Sequence, residues 1–267
     1  MFKRTASTAD LRSVNWSPVV FRTSAGRSAE TRYRQLSVAW RNRVLKRVRV
    51  PLLGTAAVLF AVAAAGGLLD LSWWLGFGFG TLVTIYAALH ESVPDHIDQW
   101  RHGAEAERRT AKELRKLRRR GWHVVHDLAD GRGNRDHVVV GPGGLFLIDT
   151  KSPRGRVKID GRGVMRVDRV DNPHASYRQV DLAGRVRHGA IRLKRDIEQS
   201  TGQQNLWVNA VVVVWSRFDQ GVVEGDRITF VHGDDLASWL EARPAVQQQP
   251  KTEAIAAALS VAARAAT

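Results

Sequence analysis

Between Val50 and His90 the chain carries one formal charge, Asp70. On either side of it stand two runs of 20 residues, VPLLGTAAVLFAVAAAGGLL and LSWWLGFGFGTLVTIYAALH. A helix needs about 20 apolar residues to cross a bilayer, and core helices of soluble proteins rarely stay uncharged on every face for so long. The pattern predicts a transmembrane helical hairpin over 50–90, with a buried hairpin in a soluble core as the alternative. Gly76 and Gly80 form a GxxxG and Ala57, Ala61 and Ala65 a small-residue stripe, which lets two helices approach closely. Trp73 and Trp74 fit a membrane interface.

The flanks orient this hairpin. Residues 1–49 hold 12 Lys and Arg against two acids, Asp10 and Glu30; no Lys or Arg separates the spans; Arg101 opens a second basic stretch. The asymmetry predicts a multi-pass protein of the cell membrane with both termini cytoplasmic. The first thirty or so residues are poor in apolar side chains and are expected to be disordered. From Ala29 to Val50 a basic helix is expected, with Tyr33, Leu36, Trp40 and Val44 at helical spacing. It suits an anionic membrane surface, or equally a solvated basic tail.

The formal charge of +15 and sequence pI of 11.1 call for an anionic partner, nucleic acid or lipid headgroups. With no cysteine, disulfides, thiolate catalysis and cysteine-based zinc sites are excluded.

Residues 91–100 read as a linker broken by Pro94, and 101–243 as the catalytic-type domain. A helix from Arg101 to Gly121 precedes strands at 122–128, 135–140 and 144–151. RVKIDGRGVMRVDR reads as a hairpin turning at Asp160-Gly161. A long helix is expected over 174–199. NLWVNAVVVVW reads as a central strand, apolar on both faces, RITFVH as a further strand and DDLASWLEA as a short helix. An Ala-rich helix closes the chain within 244–267. This order predicts an α/β fold with a mixed sheet.

The segment RDHVVVGPGGLFLIDTK, 135–151, carries the chemistry. In the simplest register across Gly141-Pro142-Gly143-Gly144, Val140 faces Leu145 and Asp136 faces Asp149. Opposed carboxylates about 5 Å apart repel and weaken a sheet, and a divalent cation is a natural compensation. Mg²⁺ or Mn²⁺ takes carboxylate oxygens, waters and substrate phosphates. Lys151 stands two residues after Asp149, hence on the same strand face; only eight of the 41 basic residues are lysines. Two metal-binding acids and an ammonium form a kit for phosphodiester hydrolysis. A plain surface cluster, with Lys151 neutralising both acids, is the alternative. Two polar groups on helix stripes add to the kit: Glu107, the one acid on the apolar face with Ala104, Ala111, Leu114 and Leu117, and Gln179, which heads a stripe of Ala183, Val186, Ala190, Leu193 and Ile197. A buried salt bridge and a helix-start glutamine would explain these two otherwise.

GAEAERRTAKELRKL, WHVVHDL, RDHVVVGPGGLFLIDTKSPRGRV and NPHASYRQ resemble the NERD (nuclease-related) domain of the PD-(D/E)XK nuclease superfamily over roughly 100–215. The resemblance implies a restriction-endonuclease-like mixed sheet flanked by helices. By position it implies Asp136 and Asp149 as metal-binding acids, Lys151 as the active-site lysine, Glu107 as the helical glutamate and Gln179 as a downstream glutamine. Two positions depart from the pattern: Ala106 stands where a glycine usually precedes the glutamate, and Asp149 is shorter than the glutamate often found there. The loops GRGNR and SPRGR place Arg132, Arg135, Arg154 and Arg156 beside the acids as candidate phosphate clamps; solvated loops are the alternative. His123, His126 and His137 are expected to be structural. The resulting expectation is a membrane-anchored, Mg²⁺- or Mn²⁺-dependent nuclease acting on nucleic acid, DNA ahead of RNA. The alternative is a non-catalytic module of the same fold that binds nucleic acid or anionic lipid.

Overall fold

The computed structural model describes residues 25–65, 77, 78, 80, 81, 85, 94–130, 133–246 and 249–265. In chain order it contains α1 (Arg27–Ala65), α2 (Asp95–Arg115), β1 (His123–Ala129), β2 (Asn134–Gly141), β3 (Gly144–Lys151), β4 (Arg156–Ile159), β5 (Met165–Asp168) and β6 (Tyr177–Gln179). Then follow α3 (Leu182–Thr201), β7 (Val208–Val214), β8 (Val222–Gly225), β9 (Ile228–His232), α4 (Leu236–Glu241) and α5 (Gln249–Ala265).

Six strands form one mixed sheet in the order β1-β2-β3-β7-β9-β8, and β4-β5-β6 form a small antiparallel sheet. β1, β2 and β3 pair antiparallel, while β3, β7 and β9 run parallel. β7 lies inside the sheet, so its apolar residues alternate between two cores, as a period of two requires. Ala210, Val212 and Val214 join one core with Val138, Val140, Leu145 and Leu147; Val211 and Val213 join the other with Val139, Phe146 and Ile148. The first core is covered by α3, α5 and the small sheet, the second by α2 and α4. At the turn end of the β2–β3 hairpin, the Trp122 ring lies so close over Gly141 that any Cβ there would overlap it.

The mixed α/β sheet flanked by helices is as expected, and several boundaries differ. α2 begins at Asp95, with Pro94 as its N-cap, so half of the expected linker is helical. Proline fits there because the first turn needs no partner for its missing N–H. Residues 25–30, expected to be disordered, form a turn and the start of α1; the basic helix expected over Ala29–Val50 lies within α1. The helix expected from 174 starts at Leu182, and Tyr177–Gln179 instead adds a third strand to the 156–168 hairpin. β8 was not expected. Its burial alternates only between exposed and intermediate, so it carries little apolar signal as an edge strand.

Most of the predicted second span, 71–90, residues 66–69 of the first and Asp70 between them lie outside the described residues. Among the described residues no helix is long and apolar enough to cross a membrane.

Candidate active site

The open end of the β2–β3 hairpin, opposite the Gly141 turn, gathers the charged groups. Observed pairs run from Gly141↔Gly144 through Val140↔Leu145 to His137↔Ile148, so the next step sets Asp136 opposite Asp149. On the other side, His126↔His137 and Leu128↔Arg135 bracket Asp127 opposite Asp136. Three aspartates therefore stand in a row across β1, β2 and β3.

The row is anchored from behind. Thr150 turns to the α2 face, where its Oγ1 lies 3.1 Å from Thr110 Oγ1, and Trp215 Nε1 donates to the same Thr110 hydroxyl at 2.7 Å. Trp215 N donates to the Lys151 carbonyl at 2.8 Å. With the strand end fixed, Thr150 N donates to Asp136 Oδ2 at 2.7 Å. Lys151 Nζ sits 2.6 Å from Asp149 Oδ2, an enclosed oxygen with no other donor.

The electrostatics follow from burial and crowding. Burial first, then the charges of Asp149 and Glu107, push the Asp136 carboxyl well above its usual range, against the opposing Lys151 ammonium and Thr150 N–H. Glu107 is raised to about 7 by burial and by Asp127, against Lys151 and a hydrogen bond from the Gly26 backbone N–H. Burial alone would lower Lys151, but Asp149, Asp136 and Glu107 outweigh it and hold the ammonium above the usual lysine range. Two carboxyls are thus biased toward carrying a proton, and the lysine toward keeping its own.

Five expected residues behave unequally. Asp136, Asp149 and Lys151 come together, and Glu107 joins them electrostatically from α2. Glu107 is not the one acid on that helix face, because Glu113 is buried there too, 2.5 Å from Lys116 Nζ. Gln179 is on β6, opposite Met165, not on a helix; its Oε1 is buried without a hydrogen-bond partner. The helix stripe below it holds: Ala183, Val186, Ala190, Leu193 and Ile197 are all buried in α3.

The arginines divide as well. Arg135 is 6% exposed and clasps Asp130 at 2.9 Å and Asp196 at 2.6 Å, so it braces β2 against α3 and presents no guanidinium to a phosphate. Arg132 lies outside the described residues. Arg154 reaches Asp98 at 2.5 Å and Arg156 reaches Asp219 at 3.1 Å, both partly exposed. Arg156 also lines a cleft of about 700 Å³ with Lys158, Arg169, Arg217, Asp168 and Asp171. The cleft begins at Gly155, just beyond Lys151 in sequence, and none of the acids of the row lines it.

On the opposite sheet face His126 Nδ1 and His137 Nδ1 meet at 2.7 Å, both buried. Burial lowers both, His126 to about 4, so one neutral ring donates to the other. This agrees with a structural role. His123 is exposed.

Residues 102–215 match the family model described as nuclease-related domain, NERD. The matched part, less than half of the chain, is similar to NERD domains. The match is consistent with the PD-(D/E)XK nuclease superfamily, and all of Glu107, Asp127, Asp136, Asp149, Lys151 and Gln179 fall inside it. No curated protein and no solved structure matches the chain. The NERD boundaries leave out α1, β8, β9, α4 and α5, although β9 and α4 complete one of its two cores.

Asp127 is the residue that sequence reasoning passed over. It sits in WHVVHDL, where it reads as the polar end of a strand. Its left-handed backbone, φ 53°, turns its carboxylate to Ser28 and to Asn134 Nδ2, the latter at 2.7 Å. The available signal was the register: counting from the Gly141 turn puts an acid at the same level on each of three strands.

The donor set fits a hard divalent cation. The acids offer carboxylate oxygens, and the crowding that raises Asp136 is a cost that a bound cation would remove. Among the described residues no three His, Asp or Glu side chains converge as a ready metal cluster; Asp136 and Asp149 are the residues that would hold a cation here.

Proposed function

We propose that the NERD domain hydrolyses phosphodiester bonds of nucleic acid with Mg²⁺ or Mn²⁺ held by Asp136 and Asp149. The observation that carries this reading is the Asp136–Asp149–Lys151 group at a strand end fixed by Thr110, Thr150 and Trp215. When bound, the metal supplies Lewis acidity and a water of lowered pKa. Lys151, held protonated, donates to a phosphoryl oxygen and to the attacking water; it is an electrostatic donor, not a base. Glu107, at about 7, is the group suited to accept or return a proton near neutrality. Arg154, Arg156 and the cleft containing Lys158, Arg169 and Arg217 hold phosphates on either side of the scissile bond. The apolar run over 50–90, flanked by basic residues, anchors the chain in the cell membrane with both termini cytoplasmic. DNA is the preferred substrate over RNA.

The test is cleavage of single- and double-stranded DNA and RNA by the purified chain with Mg²⁺, Mn²⁺ or EDTA. Metal-dependent cleavage is expected, and its absence on every substrate removes the catalytic reading. The second reading, a module that binds nucleic acid without cutting it, draws on the 2.6 Å pair in which Lys151 already neutralises Asp149. It predicts salt-sensitive binding with no cleavage.

A further inference from the structure

The start of α1 lies outside the NERD match and touches two acids of the site. Gly26 has φ +78°, and a Cβ there would come 2.7 Å from the Ala104 carbonyl oxygen. Only glycine lets the backbone lie this close against α2 in that conformation. From that position the Gly26 backbone N–H is near enough to Glu107 to favour its charged form. Two residues on, Ser28 grips Asp127 twice, its N–H on Oδ2 at 3.2 Å and its hydroxyl on Oδ1 at 3.0 Å. The first N–H groups of a helix lack partners within it; here β1 supplies one, 99 positions away in sequence. The contact is braced by buried Ala29 and by Arg108 Nη1 on Glu30 Oε2 at 2.9 Å.

We infer that Gly26 and Ser28 are positioning residues of the site, and that the first turn of α1 holds Glu107 and Asp127 in place beside the Asp136–Asp149–Lys151 group. The inference rests on the nuclease reading. It makes α1 part of the catalytic unit instead of a tether joined to it. Asp127 stands opposite Asp136, so a released Asp127 carboxylate would move within the row. Misplacement by about 1 Å can cost on the order of 100-fold in rate.

The experiment uses the full chain and two readouts. Hydrogen exchange reads the contact itself: the Ser28 amide, which donates to Asp127, is protected in the wild type, and Asp127→Ala releases it. Cleavage kinetics read its role. Ser28→Ala is expected to lower kcat at least about tenfold, with KM within about twofold and the melting temperature unchanged, because Ser28 is exposed and substrate binding is made elsewhere. Ser28→Thr, which keeps the hydroxyl, restores most of kcat. A Ser28→Ala chain with wild-type kcat, or one that changes KM alone, overturns the positioning role, as does a Ser28 amide that exchanges freely in the wild type. A wild-type chain that keeps the exchange pattern yet cleaves nothing brings down the nuclease reading, and the positioning role with it.

Discussion

The two ends of the β2–β3 hairpin are built from opposite materials. At the turn end Val139, Val140, Leu145 and Phe146 are at most 1% exposed, and Phe146 lies between Trp122 and Trp239 with both ring centroids at 5.9 Å. Every large group there has an apolar neighbour. At the open end, eight residues away or fewer, three aspartates stand abreast with one lysine among them. The closed end stabilises the fold, and that stability lets the open end keep charges that repel one another. A sheet made wholly of the second material would come apart; one made wholly of the first would have no chemistry.

Breaking the closed end should give the largest effect. Phe146→Ala removes a ring packed between two indoles and should cost about 3–5 kcal/mol of stability, measured by urea denaturation. Cleavage per folded molecule should stay close to wild type. A parallel loss in kcat would mean that the ends are not separable.

Lys151→Ala should remove cleavage at least about tenfold, equivalent to roughly 1.4 kcal/mol of barrier, while Mg²⁺ binding by calorimetry persists. Lys151→Arg should restore little, because a planar guanidinium does not reproduce a compact ammonium. Wild-type cleavage by Lys151→Ala would reduce the open end to a scaffold.

The raised carboxyls set a pH dependence of stability. Glu107 titrates at about 7 in the folded chain against a usual value of 4.5. Between those values the native state binds more protons than the unfolded chain, so stability falls as pH rises from about 4.5 to about 7. Asp136, raised in the same direction, adds to this fall. Glu107→Gln should flatten part of the slope in melting curves taken across that window; an unchanged slope would assign it elsewhere.

The smallest effect is expected from relieving the repulsion directly. Asp149→Asn removes both its repulsion of Asp136 and its ion pair with Lys151, so the metal-free chain should stay close to wild type in stability. Mg²⁺ should raise the wild-type melting temperature by binding the folded state and should not raise that of the variant. A full Mg²⁺ shift in Asp149→Asn would place the cation away from this pair.

Much of the α/β domain was legible because its signals are local. The Gly-Pro turn between two apolar runs fixed the hairpin and its register, and with them Asp136, Asp149 and Lys151. The stripe from Ala183 to Ile197 gave the buried face of α3. Gln179 was misassigned because its spacing matches that stripe, while the pairing of Tyr177–Gln179 with Met165–Val167 is a tertiary choice that spacing does not encode. Arg135 looks like a solvent-facing loop cation until Asp196, 61 positions on, closes over it. Asp127, Gly26 and Ser28 depend on contacts about a hundred residues apart and on two left-handed backbone positions, neither of which leaves a periodic trace.

The length of α1 has one more consequence. Among its described side chains none is buried beyond Ser37, and α1 continues to Ala65. The proposed membrane span opens at Val50, 13 residues past Ser37, which is about 20 Å at the usual helical rise. The Debye length at physiological salt is about 8 Å. A charged membrane surface met at Val50 would therefore act only weakly at the site. Capture of substrate would fall to the arginines of the domain itself.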